Sequence, residues 1–288
     1  MKRAHFSVWG ILPLACLLIV SACKPTDVPH AAPSSHAWAA EPVLVSLFTA
    51  ANNTRTIDYE WSQLPDLVLY ADGRLLVTRT DAKRDIYEAH LQPAEVCALL
   101  QQIATDGFLA MRPEDYAPVQ YADFHTIWIS LNAWQSNEIS AYGLDSVLKD
   151  DVTTKRVPPA LKATYLGLRD YMTSDLHVFQ PEKVVVSVLA LDQQEAAPEW
   201  PLQTPSLGDL HSREHSGWSG VVLDNQEASE VYQLFAGDFS RIYQENGKTY
   251  RLTIRPLLPF EIWGTDHKWT LPPVFQQTPT LELKCPVD

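Results

Sequence analysis

The 288-residue chain has few glycines, cysteines and basic residues, and each shortage argues against a class of function. None of its 11 glycines belongs to a phosphate-binding glycine loop. Its four cysteines include no Cys-x-x-Cys pair, so the common thiol-redox and zinc-ribbon motifs are absent. With 22 basic and 35 acidic residues, the net charge is −13, which argues against nucleic acid as a partner.

The longest apolar run, Phe6 to Val20, is too short for a transmembrane helix, which needs roughly 20 residues. Lys2 and Arg3 precede it, and the small residues Ser21 and Ala22 follow. A charged start, an apolar middle and a small-residue end are typical of a secretory signal. We therefore expect residues 1–22 to be a signal peptide.

Val20-Ser21-Ala22-Cys23 resembles the lipobox of bacterial lipoproteins, in which the cysteine is acylated and the chain is cleaved before it. The resemblance implies a lipid, such as palmitate, on Cys23 that anchors the protein to a membrane on its extracytoplasmic side. Lys24 is not the aspartate typical of inner-membrane retention, which implies the outer membrane if the cell has two. Removal of Lys2 and Arg3 with the signal makes the net charge −15. Residues 23–41, with three prolines and no apolar period, are predicted to be a flexible tether.

The remaining chain predicts an α+β protein of two small domains, 42–178 and 179–288. Each is expected to contain antiparallel hairpins and one or two packed helices. Asp72-Gly73 and Asn246-Gly247 both lie between apolar runs and predict two-residue type I′ turns. A further hairpin is expected around residues 132–137.

Three helices are predicted from apolar spacing and terminal residues. The first begins at Pro93 and ends before Gly107, and the third follows Asn225 and ends at Gly237. The second follows Pro158, and its predicted buried stripe is Leu161, Tyr165, Leu168 and Met172.

Several segments resemble a group of exported bacterial lipoproteins whose function is not known. They are the Leu-Tyr-Ala-Asp-Gly hairpin at 69–73, Trp-Pro-Leu at 200–202, Asn-Gly-Lys at 246–248 and Arg-Pro-Leu-Leu-Pro at 255–259. The resemblance implies the same cellular compartment and architecture, and it supplies no catalytic residues.

His211-Ser212-Arg213-Glu214-His215 has the His-x-x-Glu-His pattern of inverted zinc peptidases. On a helix, the two imidazoles share a face and could bind Zn²⁺, with Glu214 as general base. Glu282 is a candidate third ligand. Proline and glycine on both sides of the motif instead favour an exposed, charged loop. We therefore expect no metal or other cofactor, and His211 and His215 are only weak candidate ligands.

Four tryptophans in the second half form a candidate glycan-binding set, because indole rings stack on sugars: Trp200, Trp218, Trp263 and Trp269. The alternative is that they belong to the hydrophobic core.

Cys97 and Cys285 are the pair of cysteines left once Cys16 is removed with the signal and Cys23 is acylated. In an oxidising compartment such a pair is usually joined, and we expect a disulfide between them, although two buried thiols would also fit.

These observations favour a non-catalytic binding or envelope-support lipoprotein whose partners are a membrane, through Cys23, and a protein or a glycan. The sequence identifies no catalytic residues. The alternative is a hydrolase, most specifically a zinc enzyme using His211 and His215.

Replacing Cys23 with serine is expected to release the protein from the membrane and leave the fold intact, because residues 23–41 separate the anchor from the domains. Labelling cells with radioactive palmitate tests this, and equal label in the Cys23→Ser and wild-type proteins would contradict it.

Overall fold

A computed structural model describes residues 43–51, 64–79, 85–116, 124–150, 153–192, 196–213, 220–235, 237–259, 261 and 285. All of these belong to one compact unit, Ser35–Asp288. The predicted signal peptide and tether, including Cys23, lie outside the described residues.

A seven-stranded antiparallel sheet is built from the first half of the described chain, with the strand order β6-β5-β1-β2-β3-β4-β7. Its strands are β1 Val43–Ala51, β2 Leu67–Tyr70, β3 Arg74–Arg79, β4 Asp85–His90, β5 His125–Asn132, β6 Ser136–Tyr142 and β7 His177–Val178. The expected hairpin around residues 132–137 is therefore confirmed as β5–β6.

Three helices accompany this sheet: α1 Pro93–Thr105, α2 Leu144–Leu148 and α3 Pro159–Arg169. Pro93 occupies the first turn of α1, and the Glu95 carboxylate accepts the Gln92 backbone N–H at 2.7 Å, which caps the helix start. Gly107 follows the helix end with φ +89°, as the sequence predicts. The prediction of a buried position is wrong for one residue of the α3 stripe. Met172 is 67% exposed, because α3 ends at Arg169 and the helical period stops there.

A four-stranded antiparallel sheet forms from the second half, in the order β10-β11-β8-β9. Its elements are β8 Lys183–Leu191, α4 Leu207–Arg213, β9 Val221–Asp224, α5 Asn225–Phe235, β10 Ser240–Glu245 and β11 Lys248–Pro256. The predicted α+β class, with antiparallel hairpins and helices in each half, is confirmed. The domain boundary at residues 178 and 179 stays a prediction.

The two Asp/Asn-Gly turns differ in geometry. Asn246 and Gly247 have φ angles of 52° and 74°, which confirms the type I′ turn between β10 and β11. At Asp72-Gly73 the predicted hairpin is confirmed as β2–β3, but the type I′ turn is wrong, because three residues connect the strands and only Gly73 has a positive φ, +89°. The Asp72 carboxylate instead accepts the Arg74 backbone N–H at 2.9 Å. A Cβ on Gly73 would lie 2.5 Å from the Leu91 carbonyl oxygen, so this position requires glycine.

The hairpin β2–β3 contributes to two different cores. Its odd-numbered side chains, such as Leu69 and Leu75, pack with the helices α1 and α3. Its even-numbered side chains, such as Tyr70 and Leu76, pack with Phe179 and with Leu258, which follows β11. This second core therefore joins the first sheet to the chain that follows the second sheet.

A buried ion pair lies beside this second core. The Arg255 side chain is fully buried, the Glu261 side chain is 3% exposed, and their charged atoms are 2.6 Å apart. Burial, followed by the negative charge of Glu261, raises the pKa of Tyr70 above its ordinary value, so the phenol stays protonated.

Cys97 and Cys285 form a disulfide, which confirms the sequence-based prediction; their Cα atoms are 5.4 Å apart. The bond ties the C-terminal end of the chain to α1 and closes a loop of 188 residues.

Replacing Cys285 with serine is expected to lower the free energy of unfolding by about 5 kcal/mol, the loop-closure value for so long a loop. Urea unfolding measures the change. Wild-type protein reduced with dithiothreitol is the matched control and should unfold like the variant. An unchanged urea midpoint in both samples would show that the bond contributes nothing to stability.

Candidate ligand-binding cavity

A cavity of about 360 Å³ lies between α1 and α3. The α1 side of the wall consists of Glu95, Ala98, Leu99, Gln102, Ile103 and, just beyond the helix, Asp106. The α3 side consists of Thr164, Gly167, Leu168 and, beyond the helix, Tyr171. Its volume falls within the usual range for small-molecule sites, roughly 300–1,000 Å³.

The base of the cavity is part of the hydrophobic core. Leu99, Ile103 and Leu168 line it, and all three also belong to the core that packs on the first sheet. Leu99 and Ile103 are one helical turn apart, so they share a face of α1. A ligand bound there contacts an apolar surface that belongs to the core. This contact does not depend on a mobile loop.

Gly167 is an exposed residue of the cavity wall. It lies inside α3, where glycine costs roughly 0.5–1 kcal/mol relative to alanine. A Cβ added at Gly167 would meet no atom within 4 Å, so packing does not require glycine here. The glycine therefore lowers helix stability although packing against the described residues does not require it.

Thr164 places a polar group in the cavity wall. The residue is 1% exposed, and its hydroxyl oxygen has no hydrogen-bond partner in the part of the chain that the structure describes. Threonine in a helix commonly bonds the carbonyl four residues earlier, and Thr164 does not. A buried hydroxyl without a partner costs about 1–3 kcal/mol.

The charged groups lining the cavity are acidic. Glu95 and Asp106 are carboxylates, and no Lys, Arg or His stands among the described lining residues. Arg79 comes close to Tyr171, but its guanidinium donates to the backbone carbonyls of Arg169 and Tyr171, at 3.4 and 3.0 Å. Burial, and then the charge of Glu95, raises the pKa of Tyr171, so its phenol is neutral at physiological pH.

The metal-ligand candidates are only partly described. His211 is exposed, but it lies in the helix α4 and not in the expected loop. Glu245 of β10 explains the difference, because its carboxylate accepts the N–H groups of Leu207 and Gly208 at 3.2 and 3.0 Å and caps the helix start. The Nδ1 atom of His211 is 3.0 Å from the Val188 carbonyl oxygen and therefore carries the proton. His215, Glu214 and Glu282 lie outside the described residues, so the zinc hypothesis stays untested.

The tryptophan hypothesis fails at Trp200. This residue is buried, its indole N–H donates to the Pro205 carbonyl at 2.8 Å, and its ring packs edge-on against Tyr243 at 5.0 Å. A side chain held in the core cannot stack on a sugar. Trp218, Trp263 and Trp269 lie outside the described residues.

Within the described ranges, no group of three His, Cys, Asp or Glu side chains is arranged to hold a metal ion. No helix of the described chain is both long and apolar enough to cross a membrane. Comparisons of the chain with protein-family models, with curated proteins and with solved structures find no match.

Both helices that form the cavity were predicted from the sequence, but the cavity itself was not. The available signal was Gly167, an isolated glycine inside a helical pattern, which often marks a packing or functional constraint. Which helices lie side by side was not available from the sequence, since α1 and α3 are separated by more than fifty residues.

Replacing Thr164 with valine is expected to raise the free energy of unfolding by about 1 kcal/mol, because the change removes a buried hydroxyl that lacks a partner. Replacing it with serine, which keeps the hydroxyl and removes the methyl group, should lower that free energy by a similar amount. Urea unfolding of the two variants checks both signs. A loss of stability in Thr164→Val would mean that the hydroxyl has a partner in the folded protein.

Proposed function

We propose that the protein is a lipoprotein anchored through Cys23 on the extracytoplasmic side of a membrane, where it binds a small, largely apolar ligand without chemical conversion. The observation that carries the proposal is the cavity between α1 and α3, which is apolar at its base and keeps open space at Gly167. The lipobox-like sequence at residues 20–23 and the resemblance to exported lipoproteins support the location.

Two features that each lower the stability of the fold favour a binding site over a simple gap in packing. Gly167 destabilises α3, and Thr164 buries a hydroxyl without a partner among the described residues. Local features that lower stability without a packing reason are expected at functional or strained sites. The cavity walls supply apolar contact area with a few polar groups, which are the features of a binding site for a small molecule.

Hexanol, a small neutral probe, tests the proposal when it is titrated into the full chain in lipid nanodiscs, with empty nanodiscs as the reference. The methyl NMR signals of Leu99, Ile103 and Leu168 are expected to shift to saturation. Gly167→Leu should weaken binding at least tenfold, because a leucine side chain occupies the cavity and also favours the helix. Lys162→Leu is the matched control, since it places leucine at an exposed position of α3 that does not line the cavity.

Binding by Lys162→Leu should match that of the wild type. Equal binding by Gly167→Leu, or no saturable shift in the wild type, would overturn the proposed function.

A further inference from the structure

We infer that the ligand of this cavity is an amphiphile with an uncharged head group and one unbranched alkyl chain, about 12 carbons long. The inference rests on the binding function proposed above and adds the chemical class of the ligand. It follows from the length, the width and the charge of the space between α1 and α3.

The lining residues of α1 form one straight stripe along the helix. They recur at every turn: Glu95, Ala98, Leu99, Gln102, Ile103 and Asp106. At about 100° per residue, all six lie within an arc of roughly 140° around the helix axis. The stripe is about 16 Å long from its first residue to its last, because an α-helix rises about 1.5 Å per residue. The cavity is therefore elongated along α1.

The facing residues, on α3 and just beyond its end, follow the same helical spacing: Thr164, Gly167, Leu168 and Tyr171. Both helices therefore border the same space over about two turns. A ligand that fills this space has its long axis along α1 and contacts α3 on the other side.

The length and the volume of the cavity give the same chain size. An extended alkyl chain advances about 1.3 Å per carbon, because its C–C bonds of about 1.5 Å run in a zigzag. A stripe of about 16 Å therefore accommodates about 12 carbons. The volume of about 360 Å³ then gives each carbon roughly 30 Å³, which is the share of one molecule in liquid water and is enough for a methylene group. Two chains side by side, or a wide ring, exceed this cross-section.

Apolar side chains line the middle of the cavity. Leu99, Ile103 and Leu168 are each at least nine-tenths buried and belong to the core. An alkyl chain placed against them loses contact with water at little conformational cost to the protein, because the core already fixes these walls.

The charges of the lining disfavour an anionic head group. Glu95 and Asp106 stand at the two ends of the α1 stripe, so a head group at either end lies beside one carboxylate. No Lys, Arg or His is present among the described lining residues to offset that charge. The two carboxylates are too far apart to hold one cation between them, so the lining selects against anions without selecting a cation.

The disulfide does not interrupt the stripe. At about 100° per residue, Cys97 is turned about 200° from Glu95 and about 140° from Gln102 around the helix axis. Cys285 is therefore attached to the flank of α1 opposite the cavity.

A series of unbranched alcohols, from butanol to hexadecanol, measures the length of the site. They are titrated into the full chain in zwitterionic lipid nanodiscs and followed by the methyl signals of Leu99, Ile103 and Leu168. Affinity is expressed against the free alcohol in the aqueous phase, because the lipid takes up part of each probe. It is expected to rise about threefold per added carbon. The rise should stop at about 12 carbons, where the chain reaches the end of the stripe.

Two further probes test the shape and the charge of the ligand. Cyclododecanol has the carbon number of dodecanol in a wide ring and should bind at least tenfold more weakly. Dodecanoate replaces the uncharged head group by a carboxylate and should also bind more weakly than dodecanol, with a difference that shrinks as salt is added.

The variant Ala98→Leu tests whether the chain lies along α1. Ala98 is exposed and lines the cavity near one end of the stripe, and leucine is a good helix former. The leucine side chain leaves free only the part from position 99 to position 106, about 10 Å. The rise in affinity should then stop at about 8 carbons, while butanol and hexanol bind as they do to the wild type. Ala94→Leu is the matched control, since Ala94 is an exposed alanine of α1 outside the lining, and it should leave the series unchanged.

The possible failures are distinguishable. If affinity stops rising by hexanol or still rises through hexadecanol, the ligand class is wrong and the binding function stands. The same holds if cyclododecanol or dodecanoate binds as tightly as dodecanol. If Ala98→Leu leaves the whole series unchanged, the chain does not lie along α1 and the inference fails. If no alcohol gives a saturable shift in the wild type, both the inference and the proposed function fail.

Discussion

The two-residue period of the β2–β3 hairpin determines how the described parts of the protein fit together. Because alternate side chains leave opposite faces of the sheet, Leu69 and Leu75 pack beneath the helices while Tyr70 and Leu76 pack against the chain that follows the second sheet. A shift of one residue in this register would exchange the two faces. It would place the Tyr70 phenol in the helical core and withdraw Leu69 and Leu75 from the core on which α1 and α3 pack.

Two long-range links hold the C-terminal part of the chain to this arrangement. The Arg255–Glu261 pair is buried beside the second core, and the Cys97–Cys285 bond attaches to α1. A buried ion pair adds little net stability, but the loss of either partner is expensive, since it leaves the other charge buried alone. Such a pair therefore favours one arrangement of the chain after β11, and the disulfide acts on α1 without occupying its cavity-lining side.

The sequence predicted the parts that depend on local chemistry. The Asn246-Gly247 turn and the helix after Pro93 follow from residue types and spacing, and the structure has both. The pairing of Cys97 with Cys285 is long-range; it was predicted because Cys16 and Cys23 are assigned to the signal and the lipid anchor, and the structure has it. Two misses are local, the turn type at Asp72-Gly73 and the exposed position of Met172, and the others involve distant partners. Helix α4 is capped by Glu245 from another element, Trp200 is buried by Tyr243, and the cavity requires two helices far apart in the chain to lie side by side. No local pattern encodes those contacts.

The central claim is that α1 and α3 keep a cavity for a ligand at the cost of a helical glycine and a buried hydroxyl. Nuclear Overhauser effects between hexanol and the full chain test it most directly, because they report which side chains the ligand touches. The account predicts contacts between the ligand methylene protons and the methyl groups of Leu99, Ile103 and Leu168. Contacts confined to the exposed apolar residues of the second sheet, Leu189 and Val222, would contradict it.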